Sequence, residues 1–160
     1  MMESTSIVNI VGRRLRMKLQ SQFEVFGKWS CLALSYLYCA IKDVAEEEEI
    51  NNEDYVNVAL SAALITAYND KSILDEECTV LNPVKLMEGV AGKKYTVTKK
   101  DISSLDELKT TPKACVRFNY NGQGHFVYCE YGKVVFNSLD RSYCVNYGRP
   151  TTARIIEAVE

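Results

Sequence analysis

The sequence predicts an α+β fold, and three observations make that prediction. Helical patterns fill the first half of the 160 residues and strand patterns the second, so helices and sheet are segregated rather than alternating. The apolar period shifts from about 3.6 to about 2 near Tyr95. Hydrophobic residues make up 47% and charged residues 25%, the balance of an ordinary globular chain. No internal repeat or Pro/Gly/Ser-rich linker divides it, so residues 1–160 are read as one domain.

The elements follow in order. Near the N-terminus, Ile7 to Val11 is too short for a signal-peptide core, and basic residues follow it rather than precede it. Arg13, Arg14, Arg16 and Lys18 read as a solvated helix face. Cys31 to Lys42 (CLALSYLYCAIK) is apolar nearly all round, which marks a helix buried on most sides. Ser30 is placed to act as its N-cap. Glu46 to Glu49 reads as a solvated loop or helix start. A second helix is expected over Glu53–Tyr68, with Asn51 or Asn52 as cap and acids in its first turn. Asn82-Pro83 opens a third helix running toward Gly89 or Gly92. Residues 44–92 thus form a helical insert between the first helix and the sheet. Ser104 to Lys109 reads as a fourth, short helix. Tyr95–Thr98, Ala114–Asn119, His125–Glu130, Val134–Ser138 and Ala153–Val159 read as strands of a mainly antiparallel sheet.

Charge and cysteine usage exclude several functions. A net charge of −2 gives no footprint for nucleic acid. No run approaches membrane-spanning length, so no membrane partner and a cytoplasmic location are expected. The six cysteines, 31, 39, 78, 115, 129 and 144, contain no C-x-x-C pair, so neither a disulfide scaffold nor a metal site is expected. They read mostly as small buried apolar residues. No cofactor is expected: Asn121-Gly122-Gln123-Gly124 opens a strand and lacks the lysine of a phosphate loop. The ten tyrosines, Tyr36, Tyr38, Tyr120, Tyr128, Tyr143 and Tyr147 among them, read as packing residues with wet hydroxyls.

Chemistry centres on the single histidine. His125 starts a strand whose face continues through Val127 and Cys129, with Phe126 and Tyr128 opposite. By itself it reads first as a partly buried sheet histidine with a satisfied ring. Cys31 adds to it: as the first residue of a helix it lies where the dipole and free N–H groups favour a thiolate. Cys39, two turns deeper, lies where apolar surroundings oppose one. The third member depends on the loop after Glu130. A three-residue loop, Glu130-Tyr131-Gly132, pairs residue 129 with 133 and sets His125 opposite Asn137. A two-residue loop, Tyr131-Gly132, shifts the parity and brings Asp140 instead.

A buried helix opening on cysteine, a distant G-H-F-V strand and a strand ending in Asn-Ser together resemble papain-like cysteine peptidases. The similarity is greatest to the compact bacterial branch of bacteriocin-processing, double-glycine peptidases. A set of uncharacterised bacterial proteins of similar length is also similar, through the stretch Cys78-Thr79-Val80-Leu81-Asn82-Pro83. The resemblance spans about Gln20 to Val159. It implies Cys31 as nucleophile, His125 as general base and acid, Asn137 as orienter, and a peptide or protein substrate. Two positions depart from the pattern. Val25 stands six residues before Cys31, where an oxyanion-hole glutamine is expected, leaving Gln22 as the nearest candidate and Gln20 beyond it. Leu32 follows the cysteine in place of glycine or tryptophan. These departures keep a second reading open, a catalytically silent fold that binds a peptide or protein in its cleft.

Overall fold

The computed structural model describes residues 30–139 and 142–159. The N-terminal basic cluster, Gln20, Gln22, Val25 and Asp140 lie outside the described residues. Three helices come first: α1 (Cys31–Glu47), α2 (Glu53–Tyr68) and α3 (Pro83–Ala91). Five strands follow: β1 (Tyr95–Asp101), β2 (Ala114–Tyr120), β3 (Gln123–Glu130), β4 (Lys133–Phe136) and β5 (Arg149–Ala158). A short helix, α4 (Tyr143–Tyr147), precedes β5. The strands form one sheet in the order β1-β5-β2-β3-β4, antiparallel at every pair. The fold is α+β.

Local chemistry accounts for most boundaries. Asn52 caps α2, its side chain accepting from the N–H groups of Asp54 and Tyr55, with Glu53 and Asp54 in the first turn. Asn82 accepts from Lys85 N–H and Pro83 starts α3, which ends at Gly92 in the left-handed region. Residues Leu105–Leu108 form a 3-10 turn closed by a capping box from Ser104 and Glu107, rather than the α-helix expected there. Helix α1 runs on to Glu47, so the acidic run completes a helix and does not begin one. Ser30 stands at the N-cap of α1, but its side chain makes no capping bond. Its backbone is in the right-handed helical region, where the hydroxyl does not swing over the helix end.

Helix α1 is the organising element, as its all-round apolar pattern implied. Leu34, Leu37 and Ile41 are buried among Leu60 and Leu64 of α2, Leu86 and Met87 of α3, and Cys115, Tyr128 and Ile156 of the sheet. Burying each large aliphatic side chain contributes roughly 2 kcal/mol. The other sheet face carries Val116, Phe118, Val127, Cys129 and Ala153, covered by Ile102, Leu108 and Cys144. Helix α4, which the strand patterns did not anticipate, supplies Cys144 to that cover. All six cysteines are free and buried.

Polar pins fix α1 along the sheet. Lys42 Nζ meets Glu130 Oε1 at 2.6 Å, and Tyr128 Oη donates to Glu130 Oε2 at 2.9 Å. Asp43 is buried and accepts from Lys113 and, at 2.9 Å, from Tyr95 Oη. Tyr38 stacks on Phe136 with centroids 4.4 Å apart, which sets α1 over β4 as well. Lys42 meets Glu130 eleven residues after Cys31, about 16 Å of helix rise. Glu130 stands four residues after Phe126, about 14 Å of strand. The two lengths nearly match, so Cys31 reaches β3 at the level of Phe126.

Candidate active site

Cys31 is the first residue of α1, and its thiol is nearly closed off from solvent at 9% exposure. Strand β4 ends at Phe136, opposite Tyr128, so beyond that point β3 loses its neighbour on one side. There the backbone N–H of Phe126 is near enough to the Cys31 sulfur to favour its ionised form. The sulfur also faces the N–H groups of Leu32 and of Cys31 itself, helix-start donors with no intrahelical acceptor. Desolvation pushes the thiol pKa up. The three N–H groups and the charge of Arg117 pull it down, but burial prevails. The expectation of a thiolate set up by the helix start is therefore corrected: the resting group is a thiol, because the same helix is buried to its first residue. Cys39 behaves as expected, pushed up to about 12 by desolvation.

His125 is 4% exposed. Its Nε2 lies 2.7 Å from Asn137 Oδ1, which also accepts the N–H of Leu139 at 3.1 Å. An amide oxygen accepts only, so the ring carries its proton on Nε2 and presents Nδ1 as the bare, basic nitrogen. No hydrogen bond engages Nδ1 among the described residues. Burial pushes the imidazole pKa down and the Asn137 bond partly opposes it, so the resting ring is neutral.

Asn137 meets His125 for a reason the strand count missed. The loop has two residues, Tyr131 and Gly132, both at positive φ, with Glu130 paired to Lys133. The three-residue loop is thereby contradicted, and this register alone would turn Asn137 away from the His125 face. A bulge after Cys129–Val134 inserts one residue, so that Tyr128 pairs with Phe136 and the parity is restored. Two shifts of one residue add to two, which restores the face of Asn137 though not the expected pairing.

The structure thus joins His125 to Asn137, and Cys31 to the backbone of the residue after His125. No hydrogen bond links the Cys31 sulfur to the imidazole among the described residues. Parity puts His125 with Val127 and Cys129, while α1 packs on the face of Tyr128, so thiol and ring approach β3 from different sides. Ser30 Oγ is fully buried beside Cys31 without a partner, and Tyr36 Oη is buried near Arg154, which corrects the wet hydroxyl expected of that tyrosine. Sequence reasoning also passed over Arg117. Its guanidinium lies flat on Gly124, where a Cβ would come within 2.3 Å of Nε, so the glycine before His125 leaves room for a cation. Alternation had a signal for it, since Arg117 is the lone charge in the strand ACVRFNY.

Among the described residues, no cluster of His, Cys, Asp and Glu is arranged to hold a metal ion, and no helix is long and apolar enough to cross a membrane. A groove of about 450 Å³ lined by Thr110–Lys113 and Ile155–Ala158 opens at the far end of β2, away from the histidine turn. Comparison with protein-family models, curated proteins and solved structures returns no match, so function is read from the residues themselves.

Proposed function

We propose that this protein is a papain-like thiol hydrolase that cleaves a peptide or amide bond through an acyl-cysteine intermediate. The observation that carries the reading is the 2.7 Å bond from His125 to Asn137, which leaves Nδ1 bare on the strand whose next N–H acts on the Cys31 sulfur. Thiol and imidazole both rest neutral here, so proton transfer accompanies attack rather than preceding it. Parity sets ring and thiol on different sides of β3, so in this reading the ring turns about the unpaired edge of the strand. Nδ1 then takes the thiol proton as sulfur bonds to the substrate carbonyl carbon. The developing oxyanion is held by the N–H groups of Cys31 and Leu32, and Gln22 is the side chain proposed to join them. The tetrahedral adduct collapses, the amine leaves with the proton from His125, and water then releases the acyl group. Asn137 keeps the ring in the tautomer that both steps require.

A second reading has its own support. Burial raises the Cys31 pKa and lowers that of His125, which suits a silent cleft that binds a peptide or protein without cutting it. Alkylation by iodoacetamide separates the two. With Cys31 identified by peptide mapping, a hydrolase site labels near pH 7 and slows about tenfold or more in His125→Ala. Labelling that ignores His125 and rises only above the ordinary thiol range near pH 8.5 sinks the hydrolase reading.

A further inference from the structure

Every ion pair found among the described residues uses a lysine. Two arginines on the sheet face toward α1 have no carboxylate partner among the described residues. Arg117 pairs with Phe126 across β2–β3, and Arg154 pairs with Cys115 one rung deeper. Both are partly buried. The Arg154 guanidinium lies 5.6 Å over the Phe126 ring, and its Nε is buried without a hydrogen bond. Arg117 lies on Gly124 with its charge acting on the Cys31 sulfur. A guanidinium stays charged at any pH the protein meets, and desolvating two without a counter-charge is unfavourable. Such an arrangement is relieved by an anion, and its planar fork suits a carboxylate.

We propose that Arg117, with Arg154 behind it, binds a substrate carboxylate next to the bond that Cys31 attacks. The inference rests on Cys31 being the nucleophile and narrows the substrates to peptides or amides carrying a free carboxylate at that point. The carboxylate belongs either to an acidic side chain or to the C-terminal residue of a peptide. Phe126, whose ring lies under the Arg154 guanidinium, steadies that cation. Gly124 has a specificity role in this reading: its missing side chain is what lets Arg117 lie across the strand position before His125.

The test uses two reagents of nearly equal size, the anionic iodoacetate and the neutral iodoacetamide. In both, the Cys31 sulfur gives up its proton to a base or to water, forms a bond to the methylene carbon, and iodide leaves. The full-length protein is labelled at low salt, and the iodoacetate-to-iodoacetamide rate ratio at Cys31 is compared with that of a cysteine in an unstructured peptide. The expected ratio is about tenfold above the peptide's, the worth of one charge-assisted hydrogen bond. It falls to the peptide value in Arg117→Gln. It also falls in Gly124→Ala, which keeps the charge but displaces it. A wild-type ratio at or below the peptide's, or one unmoved by Arg117→Gln, overturns the proposal. The ratio is readable however slow the thiol, whereas the nucleophile is judged by the neutral reagent and His125→Ala, so the two readings fail separately. Protection from iodoacetamide names the source. An amidated peptide with one internal glutamate protects if side chains are read, and a peptide with a free C-terminus protects if peptide termini are. Protection by neither, or equal protection by the glutamine amide, overturns the proposal.

Discussion

Replacing Asn137 with alanine separates an orienting role from a merely structural one. Its Oδ1 receives the His125 Nε2–H at 2.7 Å and the Leu139 N–H at 3.1 Å. The ring is 4% exposed, so truncation strands a buried donor at a cost of about 1–3 kcal/mol. The Leu139 N–H is only half-buried and is served by water, which places the expected loss near 2 kcal/mol. The same truncation frees the ring proton to move to Nδ1, the nitrogen that must stay bare to accept the thiol proton. Iodoacetamide labelling of Cys31 near pH 7 is therefore expected to slow by about tenfold or more. Asn137→Asp supplies the same acceptor with a charge, favours imidazolium and restores labelling to the wild-type rate or above. Urea unfolding and mapped labelling measure the two effects on the same samples. A variant Asn137→Ala that loses stability but labels like wild type would show that the amide holds the fold and orients nothing.

Two further predictions concern the scaffold. Asp43→Ala removes the acceptor shared by Lys113 and Tyr95, and its expected cost is about 3 kcal/mol in equilibrium urea unfolding, with Asp43→Asn costing less; a loss under about 1 kcal/mol would show that solvent reaches the cluster. Stability should also fall on both sides of neutrality. The thiols of Cys39 and Cys129 are pushed up to about 12, so above pH 9.0 the unfolded state loses protons that the folded state keeps. Each such thiol removes about 1.4 kcal/mol by pH 10. His125 is pushed below 6.5, so acid binds the unfolded state first and stability falls as pH drops through 6.5. Urea midpoints followed by circular dichroism across pH 5 to 10 check both limbs, and a flat profile from 8 to 10 refutes the buried-thiol account.

The helices and most strands were legible because their signals are local. The apolar surround of Leu34, Leu37 and Ile41, the asparagine caps and the Asn82-Pro83 start act within a turn or two of backbone. Elements whose stability is borrowed from elsewhere were not. Helix α4, five residues long, is docked on β2 and β3, whereas the Leu105–Leu108 segment, read as a helix, is a 3-10 turn set by its local capping box. Ser30 looked like a cap in sequence, yet its backbone conformation withholds the hydroxyl from that role.

The sequence by itself determined the α+β order, the buried cysteine-opening helix and the single histidine on which any imidazole chemistry must rest. Tertiary structure decided the rest of the site. A bulge that leaves no trace in the residue pattern returned Asn137 to the His125 face, because register is a property of two strands and not of one. Burial turned the Cys31 thiolate expected at a helix start into a thiol, because desolvation depends on what packs around the helix. The place of Arg117 over Gly124 likewise follows from which strand lies next to which.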